Sequence, residues 1–293
     1  MTKIKALIFD LDGTLANTLE SIAYFANNAL KNAGLNIIEQ DRYRYLVGSG
    51  AKYLVEQMFI EIGQDITNPE TNKKFEKVLK EYIDKYDEDF MYLTKPYDGL
   101  KKMLDRMKSI GVKLGVLTNK PHQTAVKVIN ELYPNTFDKI YGKKDGFPLK
   151  PNKAALEYIM KDLGVNNDEC FYIGDTKIDM ITGSDGNVFT IGVLWGFRDY
   201  DELNENGADI VINEPYEIEK AFFEEEIQMG KYKHYKGNKY EVITIATDSE
   251  TLDSKVVYKQ LYANNDVFVR DAKMFCENVS IDGKEEKRFK KIK

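Results

Sequence analysis

The sequence predicts an α/β protein: a parallel sheet with helices on both faces, a helical insertion after the first strand, and a small C-terminal all-β, barrel-like domain. Three patterns support this prediction. Short apolar runs alternate with helical patterns between residues 96 and 215, an order typical of parallel βαβ units. Helical periodicity without a convincing strand fills the stretch from Gly34 to about Tyr92. After residue 229, three β-rich runs are separated by short loops.

The first predicted element is a buried strand over residues 5–9, followed at once by DLDGT. A helix over residues 18–32 follows, because apolar side chains recur there at helical spacing until Gly34. Helical patterning then continues, so residues 16–95 are expected to form a cap of helices. This insertion would interrupt the core that is built from residues 1–15 and 96–215.

The core is expected to alternate helices with strands. The predicted helices lie over residues 99–110, 123–132, 154–163 and 179–186, and the predicted strands over 113–117, 137–141, 170–175, 188–196 and 208–213. Residues 216–229 are assigned to a charged linker, although a helix is an alternative there. The last residues, 230–293, are expected to form a small barrel.

Composition and charge exclude several classes of protein. The formal net charge is −6, but residues 229–293 carry 14 Lys+Arg against 10 Asp+Glu, so this part is positive and the remainder negative. Such a change of sign suggests separate modules. The two cysteines have no zinc-site or disulfide spacing, and no apolar run is long enough to span a bilayer. A cytoplasmic protein without a membrane partner is therefore expected.

Two carboxylates follow the first strand. Asp10 and Asp12 have i, i+2 spacing, so their side chains can face the same point. The carboxyl ends of parallel strands are where ligands bind in open α/β sheets. A lone DxDG is nevertheless more often a turn, because Asp and Gly commonly follow strands.

Polar groups recur at other predicted strand ends and in adjoining loops. Thr118 and Asn119 end one strand, Lys150 lies in a Pro-flanked loop, and Asp175 and Asp179 follow another strand. Alone, these would be capping or surface residues. If Asp175 and Asp179 were helical, their spacing would place both carboxylates on one face, where a divalent cation would relieve their repulsion.

The set as a whole resembles the haloacid dehalogenase superfamily. The motifs DLDGT, LTN, the Lys-Pro at 150–151 and GDTKID occur in that order. The stretches TNKP, GVLWGFRDYDEL and GADIVINEP are similar to the phosphoglycolate phosphatase branch. The resemblance covers about the first 215 residues. It implies a Rossmann-like core, a helical cap, and a phosphatase that acts on a small phosphorylated metabolite.

The resemblance also implies roles at the catalytic centre. Asp10 would be the nucleophile that forms an aspartyl-phosphate, and Asp12 the general acid and base. Mg²⁺ would be bound by a carboxylate oxygen of Asp10, the backbone carbonyl of Asp12, and Asp175. Asp179 would complete or orient these ligands.

Further residues would contact the phosphoryl group and the leaving group. The resemblance assigns the phosphoryl oxygens to Thr118, the amide of Asn119 and Lys150, and the close backbone approach to Gly13. In the cap, Gly48, Ser49 and Gly50 resemble a substrate loop, although a plain turn between helices is an equal alternative. Pyrophosphate and nucleoside monophosphates remain alternative substrates.

The C-terminal region resembles a small bacterial family of unknown function (DUF1653), through its YxHYKGxxYEV opening. Tyrosines alternate with lysines between residues 231 and 240, a pattern that can bind single-stranded nucleic acid. A packed β core with a charged rim is the favoured alternative, so a nucleic-acid partner is not expected. A regulatory protein that acts through this region is the alternative to an enzyme.

Overall fold

The structure is a computed structural model, and it describes residues 3–281 and 283–292. The chain divides into two compact units. The larger unit spans Lys5–Glu214, and the smaller one comprises the described residues of 1–4 and 215–293. No helix in the described part of the chain is both long and apolar enough to cross a membrane.

The larger unit contains eight strands and nine α-helices within its residues, all of which are described. In chain order they are β1 Ala6–Phe9, β2 Ala16–Asn17, α1 Leu19–Asn32, α2 Tyr43–Leu46, α3 Ala51–Glu61, α4 Pro69–Glu88, β3 Lys95–Pro96, α5 Leu100–Ser109, β4 Lys113–Pro121, α6 His122–Leu132, β5 Lys139–Lys143, α7 Ala154–Leu163, β6 Cys170–Gly174, α8 Lys177–Asp185, β7 Phe189–Val193, α9 Tyr200–Glu205 and β8 Ile210–Ile212.

Six strands form a parallel sheet of order β5-β4-β1-β6-β7-β8. All four residues of β1 are buried, as expected for a central strand covered on both faces. Because β1 lies between β4 and β6, the carboxyl ends of these three strands are adjacent. The residues that follow them in sequence therefore meet at one edge of the sheet.

The cap has a hydrophobic core of its own. Apolar side chains of α1, α3 and α4 pack together, among them Phe25, Met58, Phe59 and Phe75. Helix α4 is N-capped by Asn68, whose side chain accepts hydrogen bonds from two backbone N–H groups in the first turn of the helix. The chain enters the cap through β2 and leaves it through β3, and these short strands pair antiparallel. The sequence had not indicated either strand.

The smaller unit begins with a helix in the stretch that the sequence assigned to a linker. Its elements are α10 Tyr216–Glu226, β9 Gly230–His234, β10 Lys239–Thr247, β11 Ser254–Gln260, β12 Val267–Asp271, α11 Ala272–Cys276, β13 Asn278–Ile281, β14 Lys284–Lys287 and β15 Phe289–Lys291. Helix α10 buries Ile218, Phe222 and Phe223, because these side chains lie on one face of it.

Antiparallel strands make up the rest of the smaller unit. Five of them form a sheet of order β12-β11-β10-β9-β15, and β13 pairs with β14. Tyr232, one of the tyrosines in the basic segment, is buried with Tyr258, Phe275 and Phe289. The rings of Phe275 and Phe289 stack with centroids 4.1 Å apart. Tyr232 therefore belongs to the core of this unit.

The predicted fold class is confirmed: a parallel sheet with helices and a separate antiparallel all-β region. Among the described residues, β12 and β15 are the edge strands of the sheet in the smaller unit and do not pair with each other. Closure of this sheet into a barrel is therefore not shown. The boundaries assigned to the core, cap and C-terminal domain stay predictions.

Candidate active site

The predicted polar residues meet at the carboxyl edge of the large sheet. Asp10 follows β1, Thr118 and Asn119 lie within β4, and Asp175 follows β6. Strand β4 is four residues longer than the sequence indicated, because the pairing with β5 resumes at Pro121 after an irregularity. Lys150 arrives from the loop between β5 and α7.

Lys150 lies between two carboxylates in the interior. Its ammonium is 2.7 Å from Oδ1 of Asp10 and 2.6 Å from Oδ1 of Asp179. All three side chains are almost completely buried. Burial alone would lower the pKa of Lys150, but the two carboxylates outweigh that effect and raise it. Lys150 is therefore a charged group inside the site.

Asp179 uses both of its oxygens within the protein. Oδ1 accepts hydrogen bonds from Lys150 and from the Tyr172 hydroxyl, and Oδ2 accepts from the hydroxyl and the backbone N–H of Thr176. Thr176 is the N-cap of α8, and Asp179 completes its capping box. Asp175 precedes this cap, so the supposed i, i+4 helical pair does not form. The turn between β6 and α8 brings the two carboxylates close together instead.

Asp175 is completely buried and held by two donors. The Thr14 hydroxyl donates to Oδ1 at 2.8 Å, and the backbone N–H of Phe197 donates to Oδ2 at 2.9 Å. A Cβ at Gly13 would lie 2.2 Å from Oδ2 of Asp175, and one at Gly196 would lie 2.3 Å from its Cβ. Both positions must be glycine for this carboxylate to fit.

Three of the carboxylates form a group suited to a cation. Asp10, Asp175 and Asp179 each offer an oxygen, and these atoms lie within 4.8 Å of one another. Burial raises the pKa of Asp10 to about 7 and that of Asp175 well above its usual range. In both cases the neighbouring carboxylates add to the effect. A bound cation would remove the cost of keeping these acids charged, and oxygen ligands suit a hard divalent ion.

Asp12 points away from this group, towards Lys120, a residue that the sequence analysis did not single out. The Lys120 ammonium is 2.9 Å from Oδ1 and 3.2 Å from Oδ2 of Asp12, and 2.9 Å from the hydroxyl of Tyr86 in α4. It also lies 4.4 Å from the centre of the Tyr86 ring. Lys120 belongs to the TNKP motif, whereas nothing in the sequence indicated that Tyr86 lies at the site.

Asn119 holds the loop of Lys150 in place. Its side-chain oxygen accepts from the backbone N–H of Lys150, and its side-chain nitrogen donates to the Lys150 carbonyl at 3.0 Å and to the Gly48 carbonyl at 3.2 Å. The side-chain amide is thus committed to backbone groups. The buried Thr118 hydroxyl accepts from the backbone N–H of Lys120 at 3.3 Å.

A cavity of about 120 Å³ lies between the sheet edge and the cap. One water needs roughly 10–15 Å³ on the same measure, so the cavity admits a small ligand. It is lined by Asp10, Asp12, Ile22, Val47, Gly48, Gly50, Ala51, Leu54, Tyr82, Ile83, Tyr86, Asp87, Thr118, Asn119, Lys120, Pro121, Thr124 and Phe197. The cap loop thus contributes two of its predicted glycines, while Ser49 is absent from the described lining.

Comparison with known proteins gives two family matches. A model described as haloacid dehalogenase-like hydrolase matches residues 7–193, and one described as a protein of unknown function (DUF1653) matches residues 230–291. Both agree with the resemblances seen in the sequence.

Individual relatives match more than two thirds of this chain. The phosphoglycolate phosphatase of Colwellia psychrerythraea is 30% identical over 205 residues, which is 69% of this chain and 90% of the relative. The N-acetylmuramic acid 6-phosphate phosphatase of Pseudomonas aeruginosa is 28% identical over 218 residues, covering 74% and 93%. The crystal structure of a predicted phosphatase from Clostridium acetobutylicum matches with a TM-score of 0.66 and 26% identity, covering 76% of this chain and 100% of that one.

Proposed function

Because the chain belongs to the haloacid dehalogenase-like hydrolase family and is a phosphoric monoester hydrolase of that type, we propose that it is a Mg²⁺-dependent phosphatase that forms an aspartyl-phosphate on Asp10. One observation carries the proposal. The Asp10 carboxylate lies beside the Lys150 ammonium and two further buried carboxylates, and it lines the cavity beneath the cap. This arrangement combines a nucleophile, a fixed positive charge and a cation site.

Two steps at phosphorus account for hydrolysis. A carboxylate oxygen of Asp10 attacks the phosphorus, and the bond from phosphorus to the ester oxygen breaks. Asp12, two residues further on, gives a proton to the departing alcohol. Water then attacks the phosphorus of the aspartyl-phosphate while Asp12 takes a proton from it. Inorganic phosphate leaves, and both carboxyl groups return to their starting state.

The carboxylates of Asp10 and Asp175 would hold Mg²⁺, together with the backbone carbonyl of Asp12. The ion would supply positive charge next to the phosphoryl oxygens. Asp179 is already bound to Lys150 and Thr176, so we assign it to fixing the lysine and orienting the metal ligands. The all-oxygen donor set favours Mg²⁺ over softer metals.

Charge on the transferred phosphoryl group is balanced by the remaining residues. Lys150 supplies a full positive charge, and the Thr118 hydroxyl supplies a donor at the cavity wall. The side chain of Asn119 fixes the backbone of Lys150. The backbone N–H of Asn119 is the group proposed for the phosphoryl oxygens. Gly13 lets the first loop approach closely, since its φ of +87° suits glycine.

Phosphoglycolate, or a similarly small monoester, is the substrate that we favour. The relative from Colwellia is named for phosphoglycolate, and the one from Pseudomonas for N-acetylmuramic acid 6-phosphate. A cavity of about 120 Å³ favours the smaller ester. Gly48 and Gly50 of the cap loop line this cavity and would adjoin the leaving group. Pyrophosphate and nucleoside monophosphates are the other candidates.

Phosphate release from a panel of esters tests the proposal. The panel contains phosphoglycolate, pyrophosphate, several nucleoside monophosphates and hexose phosphates, with Mg²⁺ or with EDTA. We expect release that needs Mg²⁺ and that disappears in Asp10→Asn. If the folded wild type releases phosphate from no ester, the proposal fails. The regulatory alternative, in which the C-terminal region is the active part, would then gain weight.

We also propose the domain division expected from the sequence: a core of residues 1–15 and 96–215, a cap of residues 16–95, and a C-terminal domain of residues 230–293. The two family matches fall on either side of residue 215, which supports this division. Residues 216–226 form the helix α10 of the smaller unit, so the boundary between the units lies near residue 215.

A further inference from the structure

We propose that Lys120 recognises a carboxylate on the leaving group, and that this contact releases Asp12 to protonate the ester oxygen. The inference rests on the proposed function and narrows its substrate class. The preferred ester would carry its carboxylate on the carbon that is bonded to the ester oxygen. Lys120 would then determine substrate specificity, because only a substrate that draws Lys120 away leaves Asp12 free to act.

The first observation is the position of Lys120. The residue is 8% exposed, yet it lines the cavity next to Asp12. Among the described residues that line the cavity, it is the one with a basic side chain. Lys150 is turned towards Asp10 and Asp179 instead. The two lysines therefore have separate roles: Lys150 is placed for the phosphoryl group, and Lys120 for whatever the phosphoryl group is attached to.

The second observation is that Lys120 occupies both oxygens of Asp12, at 2.9 and 3.2 Å. A carboxyl group that gives its proton to a leaving oxygen must point one oxygen at that atom. It cannot do so while both oxygens accept from the same ammonium. The pair seen here is therefore a resting arrangement in which Asp12 is an ionised carboxylate. Before Asp12 acts as the acid, Lys120 must be drawn away from at least one oxygen, and that oxygen must take up a proton from the solvent.

A substrate carboxylate is suited to that exchange. In an ester of a 2-hydroxy acid, two covalent bonds separate the ester oxygen from the carboxylate carbon. When Asp12 adjoins the ester oxygen, the carboxylate is therefore within reach of the neighbouring ammonium. It offers Lys120 an anionic acceptor in place of Asp12, so the charge of the lysine stays compensated. A leaving group without charge offers no such replacement and leaves the pair intact.

The third observation links this exchange to the cap. The Tyr86 hydroxyl, which belongs to the cap helix α4, also contacts the Lys120 ammonium at 2.9 Å. The remaining wall on the cap side is largely apolar, with Ile22, Val47 and Leu54, but it also contains the acidic Asp87. A carboxylate in this cavity would depend on Lys120 for a positive charge, because burial without a partner is costly.

A matched pair of esters tests the inference. Phosphoglycolate carries the carboxylate, and 2-hydroxyethyl phosphate replaces it with a neutral CH₂OH group. For Lys120→Met we expect kcat/KM for phosphoglycolate to fall roughly 10- to 100-fold, the usual size of a lost charge-assisted hydrogen bond. The ratio of kcat/KM for phosphoglycolate to kcat/KM for the neutral ester should fall by a similar factor, because the neutral ester has no carboxylate for Lys120 to bind. Lys120→Arg should keep most of the preference for the carboxylate.

Lys127→Met is the control. Lys127 also reaches the cap, 3.9 Å from Asp87, but it is half exposed and lies outside the cavity lining of the described residues. The Lys127→Met substitution should change kcat/KM for neither ester. The inference is overturned if Lys120→Met lowers kcat/KM for both esters by the same factor, or if the preference for phosphoglycolate survives. Thermal melting of each variant shows whether it is folded.

Binding separates this inference from the proposed function. In Asp10→Asn, which lacks the nucleophile, calorimetry with each ester measures affinity without turnover. We expect Lys120→Met on this background to weaken phosphoglycolate binding and to leave 2-hydroxyethyl phosphate unchanged. Equal affinities for phosphoglycolate with and without Lys120 would refute the inference. This comparison holds even if the wild type turns over neither ester, and the phosphatase itself is refuted only if no ester of the full panel is hydrolysed.

Discussion

The ammonium of Lys150 lies 2.6 Å from Oδ1 of Asp179, and both side chains are at most 2% exposed. Removal of the cation leaves two buried carboxylates, Asp179 and Asp10, without their partner. Breaking a buried pair in this way costs about 3–5 kcal/mol. We therefore expect Lys150→Met to lose about that much free energy of unfolding, measured by urea denaturation of the metal-free protein at neutral pH.

A nearby lysine provides the comparison for this prediction. Lys153 pairs with Glu157 at 3.9 Å, and both side chains are 55% exposed. Exposed pairs contribute about 0–1 kcal/mol, so Lys153→Met should change the unfolding free energy by less than about 1 kcal/mol. Similar losses in the two variants would show that the burial of Lys150 has no energetic consequence.

Divalent metal should stabilise the folded chain through the buried carboxylates of Asp10 and Asp175. A ligand present at 100 times its dissociation constant adds about 2.7 kcal/mol. We expect Mg²⁺ to raise the melting temperature in a saturable way, EDTA to reverse this, and Asp175→Asn to abolish it. An equal Mg²⁺ effect in wild type and Asp175→Asn would mean that the ion binds elsewhere. Because no substrate is present, the measurement is independent of catalysis.

The Thr14 hydroxyl should tune that metal affinity. It donates to Asp175 at 2.8 Å, and loss of such a supporting hydrogen bond typically weakens metal binding about 10- to 100-fold. Thr14→Val keeps the shape and removes the donor. We expect the Mg²⁺ concentration at half-maximal thermal stabilisation to rise by that factor.

Thr18→Val is the matched control for Thr14→Val. Thr18 is also fully buried, but within the described residues its hydroxyl has no hydrogen-bond partner. Replacing an unsatisfied hydroxyl by a methyl group should be neutral or stabilising. It should leave the Mg²⁺ dependence unchanged. A shift in Thr18→Val as large as that in Thr14→Val would indicate a general effect of repacking.

Parts of this site follow from the sequence for a simple physical reason. An apolar run that ends in Asp10 indicates a buried strand, and a parallel sheet brings the ends of its strands together. The positions of Thr118 and Asp175 follow in the same way, because β4 and β6 flank β1. The family resemblance indicated that these residues act together. In the structure, Asp10 and Thr118 line one cavity, and Asp10 and Asp175 belong to one group of carboxylates.

Other parts depend on contacts that no local pattern encodes. The role inferred for Lys120 requires Tyr86, which lies 34 positions earlier in the cap. Asp179 seemed to pair with its neighbour by helical spacing, but it meets Lys150 across 29 positions instead. The helix α10 lies in a stretch that was assigned to a linker, with a charged helix as the alternative, because its many charges hid the apolar face that contains Phe222. In each case a distant part of the chain decides the outcome.

Gly13 should tolerate no side chain. Its φ is +87°, and an added Cβ would lie 2.2 Å from Oδ2 of Asp175. Gly34 also has a positive φ, +69°, but a Cβ there would have nothing within 4 Å. Gly34→Ala should thus cost about 1–2 kcal/mol from backbone strain alone. Gly13→Ala should cost more and should also abolish the thermal effect of Mg²⁺. Equal costs, with Mg²⁺ stabilisation retained in both, would contradict the close approach seen here.

The two cysteines should report on the two units separately. Cys170, in the larger unit, is buried, and Cys276, in the smaller unit, is partly exposed. Burial raises the pKa of each thiol to about 12, so at pH 8 only about one molecule in ten thousand is a thiolate. With Cys276→Ser, which leaves Cys170, we expect a thiol reagent to react only as the larger unit unfolds. With Cys170→Ser, which leaves Cys276, reaction in native buffer should be slow but faster than that of Cys170. The rate for Cys276 should rise about tenfold per pH unit without a plateau below pH 10. A plateau near pH 8 or 9, or rapid labelling of Cys170 in native buffer, would show that these thiols are not held protonated by the fold.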